Sequence, residues 1–254
     1  MVNQKDVIYL NISEINIKEI IKEVLLKNFN KIDNIRNRNS NIQFDCLLKG
    51  YVGERALTMW FKEHGIEFSE VNYKNTEENI DIDLLFNYGN NDSKTIEVKT
   101  SLIPSKYFIR ESLTATIKKC IENLDIKLIR RGNQKIEDLK GDIHIQIYFL
   151  VGREERDKFL NNLKISIKIN SETIEDSFNI LIDKIYNLAN LKCYQNMLFI
   201  GWIDKKTLIT QINQKPFNER IWTFSNSKRT FWKCNIKREA KPPIDILEYL
   251  KNSS

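Results

Sequence analysis

Two stretches, Ile80-Asp81-Ile82-Asp83-Leu84-Leu85-Phe86 and Thr95-Ile96-Glu97-Val98-Lys99-Thr100-Ser101, decide how this chain folds. Between them the chain turns through Tyr88-Gly89-Asn90-Asn91-Asp92-Ser93, whose Gly, Asn and Asp residues are turn formers. Two apolar-rich runs around such a turn predict a β-hairpin. Side chains alternate across a strand, so Asp81 and Asp83 share one face of the first strand, and Glu97 and Lys99 share one face of the second. Where those faces coincide, carboxylates and an ammonium gather on one side while Ile82, Leu84, Ile96 and Val98 point to the other. Unpaired charge is costly to bury, so sheet stability alone gives no reason for the cluster. A hard divalent cation and a phosphate account for it; an exposed hairpin face with a cross-strand salt bridge is the plain alternative.

An acid-x-Lys triplet is common in this lysine-rich chain, recurring for example at Asp125-Ile126-Lys127 and Asp204-Lys205-Lys206. Glu97-Val98-Lys99 differs because it sits in a strand-like run behind an acidic strand at hairpin distance. In this it resembles the metal site of the PD-(D/E)XK nuclease superfamily, well over Leu47 to Ser101 and in general layout beyond. The proline of the family name is absent, since Ile80 and Ile82 precede the two aspartates. The family pattern places its aspartate directly before an apolar pair, here Leu84-Leu85, which favours Asp83 over Asp81 as metal ligand.

The resemblance implies an α/β (α+β) fold with a restriction-endonuclease-like core: a central mixed sheet flanked by helices, extended by C-terminal strands and helices. It implies Mg²⁺, with Mn²⁺ as a substitute, held by Asp83, Glu97 and the backbone carbonyl of Val98. Lys99 would orient the attacking water or stabilise developing charge. Glu54 matches the glutamate that many of these nucleases carry on the helix before the aspartate strand. Its plain alternative is an ion pair with Arg55 or Lys62.

Composition sets the frame. The 254 residues are 41% hydrophobic and 29% charged, which fits one large domain or a core with a smaller appendage; the resemblance implies a single nuclease domain over 1–254, with a catalytic core at about 45–151 and the remaining 152–254 serving DNA binding or dimerisation. No apolar run approaches the ~20 residues that span a bilayer, and Met1-Val2-Asn3-Gln4-Lys5-Asp6 leads into no signal-peptide pattern, so a cytoplasmic protein is expected. Cys46, Cys120, Cys193 and Cys234 are scattered, with only His64 and His144 beside them, a poor set for zinc.

The formal charge is +6, and Lys215 to Lys241 alone holds eight Lys/Arg against Glu219 and Glu239. Trp222, Phe224, Phe231 and Trp232 interleave with them. Basic and aromatic residues so mixed suit a nucleic-acid surface, with Lys228, Arg229 and Lys233 as candidate contacts and Arg130 and Arg131 as further ones. The competing reading is that the aromatics are core and the lysines reflect genome composition.

Along the chain, Ser13 is placed to cap a helix running to about Phe29, and a second helix is predicted from about Cys46 to His64, stopped by Gly65. Leu47, Tyr51, Leu57 and Phe61 form its apolar stripe, and Glu54 lies among them, facing the sheet. Ile66 to Tyr73 reads as a strand, Leu113 to Ile129 as a helix, and Ile143 to Val151 as a buried strand on which His144 is a polar sheet-face residue. Helices follow at Arg153 to Leu163 and Thr173 to Leu188, then a strand from Met197 to Ile203 with Asp204 capping a helix. Arg220 to Phe224 and Thr230 to Ile236 pair as a hairpin, and Ile244 to Lys251 closes the chain as a helix. Strands and helices intermix without a repeat, and no phosphate-binding glycine loop calls for a nucleotide cofactor.

The expected function is Mg²⁺-dependent endonucleolytic cleavage of double-stranded DNA, most like a type II restriction enzyme, acting as a homodimer or by sequential nicking as a monomer. The alternatives are a repair or junction-resolving nuclease on the same core, or a DNA-binding protein with a degenerate one.

Overall fold

The computed structural model describes residues 1–26, 40–70, 83–88, 92–152, 154, 156–158, 175–188, 191–224 and 229–252; at 40, 69, 70, 88, 92, 175–178 and 188 it describes the backbone alone. Asp81 and Lys228 lie outside these residues, as do most of the predicted helix at Arg153 to Leu163 and the turn at 89–91.

The elements, in chain order, are strand β1 (Ile8–Asn11), helices α1 (Glu14–Leu25) and α2 (Ser40–Glu63), strands β2 (Ser69–Glu70), β3 (Leu84–Tyr88) and β4 (Asp92–Leu102), and helix α3 (Leu113–Asn123). Strands β5 (Leu128–Arg130) and β6 (Ile143–Phe149), helix α4 (Glu175–Leu188), strand β7 (Asn196–Asp204) and helix α5 (Lys205–Gln214) follow. Strands β8 (Ile221–Thr223) and β9 (Thr230–Trp232) and helices α6 (Ile236–Glu239) and α7 (Asp245–Lys251) complete the chain. The architecture is mixed α/β. A six-stranded sheet runs β1-β7-β6-β4-β3-β2, and a three-stranded sheet runs β5-β9-β8.

Period-two apolar alternation produces the central strands. In β4, Ile96 and Val98 join the apolar layer under α1, α2, α4 and α7, while Glu97 and Lys99 point to the other face. β4 and β6 run parallel, in register Glu97 with His144 and Lys99 with Gln146, joined by the crossover through α3. Every residue of β6 is buried, because β6 lies between β4 and β7 with an apolar layer on each face. The second layer draws on α3, β5, α5, β9 and α6. Between Gln146 and Ile147 the pairing with β7 jumps from Gly201 to Phe199; the extra residue, Ile200, makes a β-bulge there.

Helix ends follow their caps. The Ser13 side chain accepts from the Asn16 amide at 3.2 Å, and Asp204 accepts from the Thr207 amide at 2.8 Å to start α5, both as the sequence predicts. α2 stops before Gly65, whose φ is +73°, and it begins at Ser40, earlier than expected. Its buried line is Phe44, Leu48, Val52, Ala56 and Trp60, with Leu57 and Phe61 beside it.

Three expectations need correction. The helix read from Leu113 to Ile129 ends at Asn123, because Asp125 bridges to Asn235 and Leu128–Arg130 is drawn into pairing with β9. The strand read from Thr230 to Ile236 ends at Trp232, and Ile236 opens α6 behind the Asn235 cap. The strand read from Ile66 to Tyr73 is only Ser69–Glu70 among the described residues. No helix among the described residues is long and apolar enough to cross a membrane.

Candidate functional site

The site lies at the end of the β3–β4 ladder where Leu84 faces Ile96, away from the connecting turn. Asp83 immediately precedes β3, and its amide donates to the Ile96 carbonyl at 2.9 Å. Its carboxylate Oδ2 turns back to accept the Val98 amide at 2.6 Å. Asp83 is thereby anchored to the backbone of the strand that carries Glu97 and Lys99. Glu97 is 4% exposed. Its Oε1 meets Lys99 Nζ at 2.5 Å, and its Oε2 meets His144 Nδ1 at 2.7 Å.

Burial pushes the Glu97 carboxyl toward the neutral form, but the Lys99 charge and the His144 hydrogen bond outweigh it and hold the group at about 2. The carboxylate is therefore ionised across the physiological range. Gln146, next along the same face, donates from Nε2 to the Lys99 carbonyl at 3.0 Å and accepts the Lys127 amide at 3.0 Å. Burial, reinforced by the charge of Lys49, draws the Lys127 ammonium down to about 8. The two strands thus lock the backbone beneath Lys99.

The structure brings Asp83, Glu97, Val98 and Lys99 together. Glu54 is placed differently from the expectation. It is half-buried at the margin of the α2 core line and does not lie inside that line, because the buried stripe follows Leu48, Val52 and Ala56. The preceding residue, Gly53, lies directly on Thr100: a Cβ at Gly53 would stand 2.3 Å from Thr100 Cγ2. So α2 covers the face of β4 opposite Glu97 and Lys99.

His144 is the residue the sequence reading undervalued. It lies on the sheet face as expected, and there it is fully buried and bonded to Glu97. Asp45 was also passed over: wholly buried in α2, it accepts from Tyr194 Oη at 2.6 Å and Arg156 Nε at 3.1 Å, and it pairs with Lys49.

Asp83 and Glu97 supply the hard oxygen donors that Mg²⁺ prefers. Among the described residues no group of three or more His, Cys, Asp or Glu side chains forms a metal cage. That donor set fits a cation bound by one or two carboxylates plus water and substrate, and it does not make a closed zinc site.

Of the expected DNA contacts, Arg130 lies in the small sheet and Arg131, Arg229 and Lys233 flank its strands, while Lys228 lies outside the described residues. Arg130 pairs with Thr230 across the β5–β9 ladder, which brings Arg130 and Arg131 beside Arg229 from the far end of the chain. The Arg130 guanidinium lies 5.3 Å from the Trp232 ring centroid, and its Nε donates to the Gln134 carbonyl. Lys233 follows β9, its amide bonded to the Arg220 carbonyl. Trp222 and Phe231 stack with centroids 4.6 Å apart, and Phe224 is exposed beside them. Trp232 is core, so the aromatics divide between the two readings.

Comparison with known proteins returns no matching family model, no matching curated protein and no matching solved structure.

Proposed function

We propose that this chain is a Mg²⁺-dependent endonuclease that hydrolyses phosphodiester bonds of double-stranded DNA as a site-specific, type II-like restriction enzyme, working as a homodimer. The observation that carries the reading is the junction itself: Asp83 clipped to the Val98 amide, with Glu97 and Lys99 ion-paired on the adjoining strand. A buried carboxylate kept ionised beside a lysine, next to a second carboxylate, is an arrangement that stability does not require. The mixed sheet and the helix preceding the aspartate strand agree with it.

Asp83 and Glu97 would hold the cation, with Val98 at its side. Mg²⁺ bound there supplies Lewis-acid polarisation of a phosphate oxygen and acidifies water. Lys99 presents a positive charge on the same face, where it attracts the phosphate and opposes the negative charge that builds up during hydrolysis. Arg130 in the small sheet and Arg131, Arg229 and Lys233 beside its strands would neutralise backbone phosphates, with Lys228 as a further sequence candidate.

One observation favours a second reading, a DNA-binding protein with a degenerate core: both Glu97 oxygens are already engaged, by Lys99 and by His144. Digestion of supercoiled plasmid separates the two. With Mg²⁺, the nuclease reading expects fragments with defined ends, and Asp83→Ala or Glu97→Ala should each lose cleavage by about 10³-fold or more while staying folded. Uncut plasmid that is nevertheless bound would support the second reading. Preferential cutting of branched DNA would point to a junction-resolving enzyme.

A further inference from the structure

We infer that His144 is the positioning residue of the site, fixing the rotation of the Glu97 carboxylate so that one oxygen is left for Lys99 and for the cation held with Asp83. The inference rests on the metal-site reading above. The geometry is over-determined. His144 and Glu97 are directly opposed in the parallel β4–β6 ladder, so each backbone is fixed by the sheet. His144 is 0% exposed, and its Nδ1 lies 2.7 Å from Glu97 Oε2. An ionised carboxylate only accepts hydrogen bonds, so Nδ1 is the donor. Gly141, at φ +70°, closes over the pair: a Cβ there would stand 3.3 Å from Glu97 Cβ and 3.5 Å from His144 Cε1. A side chain at 141 would press on both residues, so glycine there keeps the pair undisturbed.

Stability does not explain this pair. His144 Nε2 is buried and has no hydrogen-bond partner among the described residues, a cost that an apolar side chain would avoid. Exchanging a buried polar pair for apolar residues of similar volume is often neutral or stabilising. What the histidine supplies, and an apolar residue does not, is a directed N–H on one oxygen of a ligand carboxylate. Outer partners of this kind hold metal ligands in orientation, and their loss weakens metal binding by roughly 10–100-fold.

The test uses the full chain and Mn²⁺ as probe, with affinity measured by titration calorimetry and folding followed by thermal melting. His144→Ala should weaken Mn²⁺ binding by roughly 10–100-fold. His144→Asn, whose amide nitrogen can take the place of Nδ1, should recover most of that loss. A purely structural role would lower the melting temperature of His144→Ala and leave the Mn²⁺ affinity unchanged, which overturns the inference. Should His144→Ala fail to fold, His144→Asn decides alone: a loss of tenfold or more overturns it. Asp83→Ala and Glu97→Ala run alongside. If they lose Mn²⁺ binding and His144→Ala does not, only the positioning role fails. If the wild-type chain binds no Mn²⁺, the metal site and the inference fail together.

Discussion

At the scale of single residues, Glu97 carries the largest consequence. Its carboxyl is held near 2 in the folded chain, against a usual 4.5, because Lys99 and His144 favour the anion more than burial opposes it. A depressed acid stabilises the fold fully above its unfolded value and loses that contribution as pH falls toward its folded value. The difference in melting temperature between wild type and Glu97→Gln should therefore be largest above about pH 4.5 and shrink as pH falls toward 2. A difference that stays constant over that window would mean Glu97 gains nothing from its partners. Alternation along one strand was enough to put Glu97 and Lys99 on a common face. The His144 partnership was not legible, because it depends on how a parallel neighbour 47 residues away is registered.

At the scale of elements, the strands with clear period two or continuous apolar runs, β3, β4, β6 and β7, were legible, as were the capped ends of α1 and α5. What failed was set by long-range pairing. Ile117, Ile121 and Leu124 have helical spacing, yet the helix ends before Leu124 because Asp125 and Leu128–Arg130 are taken up by Asn235 and β9. That same pairing brings Arg130 and Arg131 to the basic hairpin, which no local pattern foretold. Arg131 and Arg229 are both exposed. If this small sheet lies on DNA, replacing both with Gln should weaken duplex binding in Ca²⁺ and reduce the slope of log K against log salt by about 0.9 per lost phosphate contact. An unchanged slope would turn that sheet away from the DNA.

At the scale of the whole molecule, the sequence reading is one domain with a catalytic core at about 45–151 and a remainder from 152 assigned to DNA binding or dimerisation. In the structure β7, from that remainder, lies against β6, and β1, from the N-terminal segment, lies beyond it. Both apolar layers draw on residues from across the chain. A fragment spanning 45–151 would leave one edge of the fully buried β6 unpaired and strip α1, α4 and α7 from one face. It should show no cooperative thermal transition where the full chain shows one; a sharp transition in the fragment would mean the core stands alone. The arrangement also gives the site two walls of unequal permanence. Glu97 and His144 are set in β4 and β6, strands paired to each other along seven successive positions, whereas β3, which brings Asp83, pairs with β4 over five. The Val98 amide proton, clasped by the Asp83 carboxylate, becomes a local clock for the looser wall: its replacement by deuterium should quicken selectively in Asp83→Ala, while the β6 amides remain among the slowest in the protein.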